Sequence, residues 1–251
     1  MRTLVVLPTY EEAQTIEQVI RRTRAALPEA EVLVVDDGSP DGTADLADRV
    51  GEQVGSVTVM RRASRSGLGD AYRAGFSWGL DHGAEALVEM DSDLSHDPAE
   101  LPFLVAALER CDLVIGSRYV PGGSIPQWGL HRRLLSKGGN LYSAVMLGVA
   151  VKDMTSGFRV YRATLLEAME LDTIGADGYG FQIEMTYRAA RVGARIVELP
   201  IRFVDREAGQ SKMSGEIVIE ALALVTRWGA RRMLGGWGSP LRARATRTER
   251  S

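Results

Sequence analysis

The sequence predicts an α/β protein with a mostly parallel central sheet flanked by helices. Short runs rich in Val, Ile and Leu alternate along the chain with longer segments of helical period. Helices cover both faces of a parallel sheet, so the apolar runs of its strands are continuous rather than alternating. With 251 residues, the chain is long enough to bury one large core around such a sheet.

The apolar runs give the strands in order, and the amphipathic segments give the helices. Strands are predicted at residues 4–7, 32–35, 57–60, 86–90, 113–115 and 195–203. Helices are predicted near residues 11–27, 41–50, 67–82 and 98–109, and two apolar helices follow near residues 134–149 and 217–228. Parallel sheets of this kind bind ligands at the carboxyl ends of their strands, so functional residues are expected there.

Composition and missing motifs exclude several classes of protein. The formal net charge of −3 gives no reason to expect nucleic acid as a partner. Cys111 is the only cysteine, which excludes an internal disulfide and suits a reducing cytoplasm. No run reaches the ~18 apolar residues that span a bilayer, so we expect any membrane contact to be at the surface. No complete dinucleotide-binding glycine pattern follows the first strand, and the histidines are too scattered for a zinc site.

Acidic residues follow three of the predicted strands. Glu12 comes after the first strand, Asp37 after the second, and Asp91 and Asp93 after the fourth. Each alone has a structural explanation, since Asp37 could cap the turn at Ser39 and Asp93 could cap a loop. Gathered at the ligand-binding edge of one sheet, these anions together indicate that the edge holds a cation or the hydrogen-bond donors of a ligand.

Asp91 and Asp93 form the most informative pair. Side chains two residues apart on an extended segment face the same way. Their carboxylate oxygens suit Mg²⁺ or Mn²⁺ and leave coordination positions for water and substrate phosphate. Such an ion would neutralise a diphosphate leaving group.

The strand ends also match motifs in a fixed order. They are residues 8–12 (Pro-Thr-Tyr-Glu-Glu), 36–39 (Asp-Asp-Gly-Ser) and 91–93 (Asp-Ser-Asp), and the series resembles family 2 nucleotide-sugar glycosyltransferases of the GT-A type. Later motifs narrow the resemblance to dolichol- or polyprenol-phosphate mannose synthases. These are residues 116–119 (Gly-Ser-Arg-Tyr), 153–159 (Asp-Met-Thr-Ser-Gly-Phe-Arg), 180–184 (Gly-Phe-Gln-Ile-Glu), 200–206 (Pro-Ile-Arg-Phe-Val-Asp-Arg) and 209–213 (Gly-Gln-Ser-Lys-Met).

The resemblance implies an enzyme with a GT-A fold and a metal-dependent, inverting reaction. Mannose would pass from GDP-mannose to the phosphate of a polyprenyl or dolichyl monophosphate, with Mg²⁺ or Mn²⁺ as the cofactor. The chain would form one glycosyltransferase domain over residues 1–234, with a nucleotide-sugar-binding half (1–117) and an acceptor-binding half (118–234). From their charge, the basic residues 235–251 are expected to form a disordered tail, and attraction of the basic end to anionic lipid headgroups is the alternative.

The resemblance also assigns the residues that bind the donor. Guanine and ribose would be surrounded by Pro8, Tyr10, Glu12, Val35 and Asp37. The diphosphate and the metal would lie near Asp91, Ser92 and Asp93. Two positions depart from the family pattern, because Glu11 stands where Asn is common and Ser95 stands where Gln is common. Ser95 can supply only a hydroxyl or a bound water, and it is a candidate third metal ligand on those terms.

A lipid monophosphate needs cations rather than a general base, because with a second pKa of about 6 it is largely dianionic near neutral pH. Arginine can hold phosphate through two hydrogen bonds, and lysine acts as a point charge. The candidate acceptor-binding residues are Arg118, Arg132, Arg133, Ser136, Arg206 and Lys212. The predicted catalytic residues are Asp93, Arg118, Arg206 and Lys212. Residues 205–214 could form a lid over the donor or an ordinary exposed loop.

The two apolar helices connect this chemistry to a membrane. Cations flank their apolar stripes, with Arg132, Arg133 and Lys137 near the start of the first and Arg231 and Arg232 after the second. This pattern is typical of helices that lie in a membrane interface, although packing in the core would give the same stripes. We expect a peripheral protein on the cytoplasmic face of a membrane, and a separate membrane protein could be a partner.

Three alternatives remain open on the sequence alone. A transferase that uses a UDP-sugar, such as UDP-glucose, with the same lipid would share the fold and the mechanism. A nucleotidyltransferase also joins an α/β sheet to acidic metal ligands, but it would not need the basic and apolar second half. A non-enzymatic binding module would tolerate the loss of Asp91 and Asp93, whereas an enzyme would not.

Overall fold

The structure is a computed structural model that describes residues 1–205 and 215–234, and for residues 215–218 it describes the backbone alone. The predictions made for Arg206, for Lys212, for the lid beyond Asp205 and for the tail over residues 235–251 lie outside the described residues.

The described chain is built on one sheet of seven strands. In chain order these are β1 (Thr3–Thr9), β2 (Glu31–Asp36), β3 (Val57–Arg61), β4 (Ala86–Glu89), β5 (Leu113–Ser117), β6 (Arg159–Arg162) and β7 (Ile196–Pro200). Their order across the sheet is β3-β2-β1-β4-β6-β5-β7. All neighbouring pairs are parallel except those of β6, which runs antiparallel to β4 and β5. The predicted α/β class with a mostly parallel sheet is confirmed.

Helices connect and cover the strands. They are α1 (Ile16–Ala26), α2 (Thr43–Val54), α3 (Leu68–Asp81), α4 (Leu101–Ala107), α5 (Leu130–Leu147), α6 (Ala163–Ala168), α7 (Gly178–Arg191) and α8 (Gly215–Met233). The four helices predicted in the first half and the two apolar helices of the second half are all present, with bounds shifted by a few residues. The sequence prediction missed α6, α7 and β6, and it carried the last strand three residues too far.

The strand β1 shows why continuous apolar runs mark this sheet. Leu4 and Val6 pack into one buried cluster, whereas Val5 and Leu7 pack into the cluster on the opposite face. Successive side chains of a strand point to opposite faces, so a strand covered on both sides needs an apolar residue at every position.

Two glycines let α3 pack closely against β1. A side chain at Gly79 would place its Cβ 2.6 Å from Leu4 Cδ2, and a side chain at Gly75 would overlap Val6 Cγ1. Neither strand residue can move, because both are fully buried in the core. This close packing holds α3, which begins at Leu68, against β1.

In the second half, α5 and α8 pack against each other. Tyr142 Oη lies 2.6 Å from Thr226 Oγ1, and a Cβ at Gly229 would lie 2.8 Å from Met146 Cε. Each helix also has an exposed apolar face, formed by Leu134, Leu135, Leu141, Val145, Ile219 and Leu222. Core packing and surface exposure are therefore both present, on different faces of the same two helices. Within residues 1–205 and 215–234, no helix combines the length and the apolar character needed to cross a bilayer.

Candidate active site

A cleft of about 500 Å³ opens at the carboxyl ends of β1, β2 and β4, between the two halves of the described chain. Ten of the residues predicted to bind substrate or metal line this one cleft. They are Pro8, Tyr10, Glu12, Asp37, Asp91, Ser92, Asp93, Ser95, Arg118 and Arg132. The strand ends thus bring together residues that lie up to 124 positions apart in the sequence.

Three predicted residues lie away from the cleft surface formed by the described residues. Val35 is buried in the core on β2. Arg133 is turned toward the backbone, and its Nη2 donates to the carbonyls of Ile125 and Pro126 at 2.6 and 3.2 Å. Ser136 Oγ accepts a hydrogen bond from the Tyr119 hydroxyl at 2.6 Å.

The two aspartates that follow β2 have different partners. The Asp36 carboxylate accepts hydrogen bonds from the backbone nitrogen and hydroxyl of Ser39, so Asp36 rather than Asp37 caps this turn. Asp37 lines the cleft and pairs with Arg62 at 2.8 Å. Across the cleft entrance, the Arg65 guanidinium lies 4.5 Å from the centre of the Tyr10 ring. This end of the cleft therefore offers both a carboxylate and a flat cation–aromatic pair.

The loop after β4 is tightly constrained. Asp93 Oδ1 accepts from the backbone nitrogen of Ser95 at 3.0 Å, and Ser92 Oγ donates to the carbonyl of Pro8 at 2.8 Å. Leu94 between them has a φ of 64°, a left-handed conformation that is strained for a leucine. Asp93 thus caps the loop, as one of its sequence interpretations held, and it also lines the cleft.

His96 is a site residue that the sequence analysis missed. It is buried, it stacks on Phe158 with ring centres 5.0 Å apart, and its Nδ1 accepts a hydrogen bond from the backbone nitrogen of Asp91 at 3.2 Å. In the sequence, the only feature that could have indicated this role is its position five residues after Asp91.

The cleft residues fit a hard divalent cation that only a few protein side chains would ligate. Among the described residues, no group of three or more His, Cys, Asp or Glu side chains could hold a metal. However, Ser95 Oγ is buried without a hydrogen-bond partner in the described part of the chain, beside the two strand-end carboxylates. An orphaned buried hydroxyl is destabilising unless a ligand satisfies it, so Asp91, Asp93 and Ser95 fit a cation that substrate and water complete.

Arg118, which the sequence predicts to bind the acceptor, is paired rather than open. Its Nε and Nη2 donate to Asp153 at 2.8 and 2.6 Å, and Nη2 also donates to Thr155 at 2.8 Å. Burial alone would raise the pKa of Asp153, but the charge and hydrogen bonds of Arg118 outweigh it and hold that pKa below its usual value. The same pairing outweighs burial at Arg118 and raises the pKa of its guanidinium. Arg118 therefore enters the cleft as half of an ion pair, and the sequence analysis did not identify Asp153 as its partner.

Arg132, the second arginine that lines the cleft, packs against an aromatic ring. The Arg132 guanidinium lies 3.9 Å from the centre of the Trp128 ring, and its Nη1 lies 3.2 Å from Asp205 Oδ1. Trp128 Nε1 donates to the same Asp205 oxygen at 2.7 Å. Arg132 is thus held at the cleft by one ring and one carboxylate, on the helix that also carries exposed leucines.

A buried polar network lies beneath the carboxylate pair. Gln182 Nε2 donates to Glu89 Oε1, and the Tyr161 hydroxyl donates to Glu89 Oε2 at 3.1 Å. Arg159 Nη1 donates to the Tyr161 oxygen and to the backbone carbonyl of Gln182 at 3.3 and 2.9 Å. Burial raises the pKa of Glu89 to about 7, although Arg159 and the hydrogen bonds oppose the rise.

Carboxylates at the strand ends of a mostly parallel α/β sheet face arginines across one cleft. This arrangement defines a glycosyltransferase of the GT-A type. The family model for glycosyl transferase family 2 matches residues 4–169, and the chain belongs to that family. The resemblance found in the sequence is confirmed by the relatives below.

Two relatives are similar over nearly their whole length. The chain is 54% identical to an undecaprenyl-phosphate mannosyltransferase of Micrococcus luteus, over 91% of this chain and 94% of the relative. It is 49% identical to a polyprenol monophosphomannose synthase of Mycolicibacterium smegmatis, over 92% of this chain and 88% of the relative.

A glucosyl-3-phosphoglycerate synthase of Mycobacterium tuberculosis, solved with Mn²⁺, UDP-glucose and phosphoglyceric acid, superposes with a TM-score of 0.64. That match covers 91% of this chain and 80% of the solved chain at 22% identity, and it shows the shared fold.

Proposed function

We propose that this chain transfers mannose from GDP-mannose to the phosphate of a polyprenyl, dolichyl-type monophosphate and releases GDP. The observation that carries the proposal is a cleft in which Asp91 and Asp93 face Arg132 on a helix with an exposed apolar side. Such a cleft can take a nucleotide diphosphate on one side and a lipid phosphate on the other. The names of the two similar mannosyltransferases support the same sugar and the same class of acceptor.

The donor nucleotide would occupy the end of the cleft near β1 and β2. Pro8, Tyr10, Glu12 and Asp37 line that end and are the proposed contacts to guanine and ribose. Val35 would support them from the core beneath. Asp91, Ser92 and Asp93 would lie beside the diphosphate.

Asp91, Asp93 and Ser95 would hold Mg²⁺ or Mn²⁺. When bound, the ion supplies positive charge that stabilises the departing diphosphate. The Mn²⁺ bound together with UDP-glucose in the solved glucosyl-3-phosphoglycerate synthase supports this choice of cation. Asp93 is then both a metal ligand and the cap that shapes the loop.

Transfer would proceed with inversion at the sugar carbon. An oxygen of the acceptor phosphate forms the new bond to C1, while the bond from C1 to the GDP oxygen breaks and its electrons leave with GDP. No proton needs to be removed, since the phosphate is already largely dianionic near neutral pH. Arg132 would supply charge to the acceptor, and Arg118, oriented by Asp153, would supply fixed N–H donors. Arg206 and Lys212 remain predicted acceptor contacts beyond the described residues, and Arg133 and Ser136 would support the acceptor side from behind.

The lipid would be met at a membrane surface. The apolar faces of α5 and α8 are exposed, and Arg132 lies on α5 itself, so one helix joins the cleft to this surface. Exposed apolar side chains near cations favour an interface with anionic lipid. The protein would then be peripheral on the cytoplasmic face, and a separate membrane protein could assist it.

Transfer of labelled mannose from GDP-mannose to a polyprenyl phosphate in detergent tests the proposal, with and without EDTA and beside labelled UDP-glucose. Label that enters the lipid phase from GDP-mannose alone, and is lost with EDTA, is the expected result. Transfer from UDP-glucose instead would overturn the sugar assignment. Release of pyrophosphate from a nucleoside triphosphate and sugar phosphate, without lipid labelling, would indicate a nucleotidyltransferase.

A further inference from the structure

We propose that the carboxamide of Gln182 hydrogen-bonds a hydroxyl group of the transferred sugar, and that Glu89 holds the carboxamide in position. This inference rests on the proposed sugar transfer and deepens it. It also gives a role to residues 180–184, a motif that the proposed mechanism leaves unused.

Gln182 has unsatisfied hydrogen-bonding capacity at the cleft. The residue lines the cleft although only 3% of it is exposed. Its Oε1 is buried and has no hydrogen-bond partner among the residues that the structure describes. An unpaired buried carbonyl destabilises a fold, so a native protein that retains one has a ligand or water to satisfy it.

The carboxamide is fixed before any substrate arrives. Its Nε2 donates to Glu89, which also accepts from the Tyr161 hydroxyl. The backbone turn that carries it is fixed as well, because the Gln182 carbonyl accepts from Arg159 Nη1 and from Thr186 Oγ1, each at 2.9 Å. A group held in this way binds its partner with little loss of side-chain entropy.

Gly157 leaves room for one small group between this carboxamide and the Asp91 carboxylate. A Cβ at Gly157 would lie 3.5 Å from Gln182 Nε2 and 3.5 Å from Asp91 Oδ1. The gap therefore adjoins the proposed diphosphate site, where the first sugar ring of the donor must lie. No side chain of the described chain occupies the position that such a Cβ would take.

The chemistry of the gap selects a hydroxyl over a phosphate. The carbonyl Oε1 of Gln182 disfavours direct contact with an anion, whereas a hydroxyl can donate to Oε1 and accept from Nε2. The hydroxyl-bearing part of the donor that lies next to its diphosphate is the transferred sugar. Gln182 is thus a sugar-binding residue, and Glu89 is the residue that positions it.

Donor analogues and a Gln182→Leu variant test the inference. The wild-type protein is assayed with GDP-mannose and with the 2-, 3-, 4- and 6-deoxy forms of this donor. Gln182→Leu should lower kcat/KM for GDP-mannose by roughly fivefold or more, the loss of one hydrogen bond. With the one deoxy donor that lacks the bound hydroxyl, Gln182→Leu and the wild-type protein should have the same kcat/KM. Binding of GDP, which carries no sugar, should stay within a factor of two of wild type.

Two further variants keep the test decisive if Gln182→Leu folds poorly. Gly157→Ala meets only ordinary van der Waals contacts, so it should fold while filling the gap, and it should weaken GDP-mannose binding without weakening GDP binding. Ser143→Ala is the control: it removes a buried hydroxyl that donates to the Gly139 carbonyl within α5, away from the cleft, and it should leave the ranking of the deoxy donors unchanged.

An equal loss with every deoxy donor, or weaker GDP binding, would assign Gln182 a purely structural role and overturn the inference. A raised half-saturating Mn²⁺ concentration in Gln182→Leu would overturn it too, since Oε1 would then be a metal ligand. If the wild-type protein uses UDP-glucose rather than GDP-mannose, the donor assignment fails separately. The same comparison with deoxyglucose donors then tests Gln182.

Discussion

Arg118 and Asp153 form a buried ion pair in which Arg118 Nη2 lies 2.6 Å from Asp153 Oδ1. Asp153 Oδ2 also accepts from the backbone nitrogen of Arg118 at 2.9 Å, so one carboxylate fixes both the strand end and the guanidinium. Breaking a buried pair on one side leaves a charge without compensation. The pair therefore links the stability of the fold to the geometry of the cleft.

Asp153→Asn should lower the free energy of unfolding by about 3 kcal/mol, because the buried Arg118 would keep its charge without a counterion. Urea denaturation followed by circular dichroism measures the change. Asp48→Asn is the matched control, since Asp48 pairs with Arg61 at 2.6 Å on the surface. Exposed pairs contribute much less than buried ones, because water screens them. Equal effects of the two substitutions would contradict the role given to the buried pair.

The same carboxylate should make stability depend on pH. Arg118 outweighs the effect of burial and holds the pKa of Asp153 below its usual value in the folded state. As the pH falls below about 4, the unfolded chain binds a proton at Asp153 before the folded chain does, so the folded state loses this stabilisation. Unfolding measured at pH 6 and pH 3 should show a smaller loss in Asp153→Asn than in wild type. An identical loss in both would contradict the pairing.

Glu11→Asn should stabilise the protein by about 0.5–1 kcal/mol. Glu11 has a φ of 59°, a left-handed conformation that asparagine adopts more readily than glutamate. This gives a physical reason why asparagine is common at this position in the family that the sequence resembles. Thermal denaturation measures the change. The same substitution at the exposed Glu52 within α2 should slightly destabilise, since asparagine is the poorer helix former.

The parts of this fold that sequence predicted are those with a local signature. Continuous apolar runs mark the parallel strands, and carboxylates directly after a run mark the cleft, as at Asp91 and Asp93. The missed parts depend on contacts between distant residues. β6 has only four residues with an arginine at each end, and its burial follows from pairing with β4 and β5. Glu89 and Gln182 likewise meet across 93 positions, a separation that no periodicity reveals.

Ser95→Ala should weaken metal binding while leaving the fold intact. Its Oγ is buried without a partner in the described chain, so removing it breaks no hydrogen bond there. Calorimetric titration of Mn²⁺ into the GDP complex should show an affinity reduced by roughly tenfold, the order of one lost polar ligand interaction. Ser92→Ala is the matched control, because that hydroxyl donates to the Pro8 carbonyl. It should affect stability more than Mn²⁺ affinity, and the reverse ranking would remove Ser95 from the metal site.

Arg132 and Arg133 are adjacent in sequence but have different surroundings. Successive residues of α5 point in different directions, so Arg132 reaches the cleft and Arg133 does not. Arg132→Ala should reduce turnover with polyprenyl phosphate by about tenfold or more, the loss of one charge-assisted hydrogen bond to phosphate. Arg133→Ala should leave turnover near wild type and lower thermal stability instead, since it removes the bonds to the carbonyls of Ile125 and Pro126. GDP binding separates a lost acceptor contact from a damaged donor site. Equal turnover in the two variants would mean that Arg132 does not contact the acceptor.

The exposed face of α5 should bind anionic vesicles. Val145→Glu places a charge on an apolar side chain that is 66% exposed, and it should reduce cosedimentation with phosphatidylglycerol vesicles because a carboxylate is both polar and repelled by the lipid charge. Phe103→Glu is the matched control, since Phe103 is 59% exposed on α4 in the other half of the chain. It should leave vesicle binding unchanged, and activity on a short, detergent-soluble polyprenyl phosphate should survive in both variants. Equal loss of vesicle binding in the two variants would mean that α5 is not the membrane-facing surface. If Val145→Glu instead loses activity on the soluble acceptor, this face of α5 supports the cleft rather than the membrane contact.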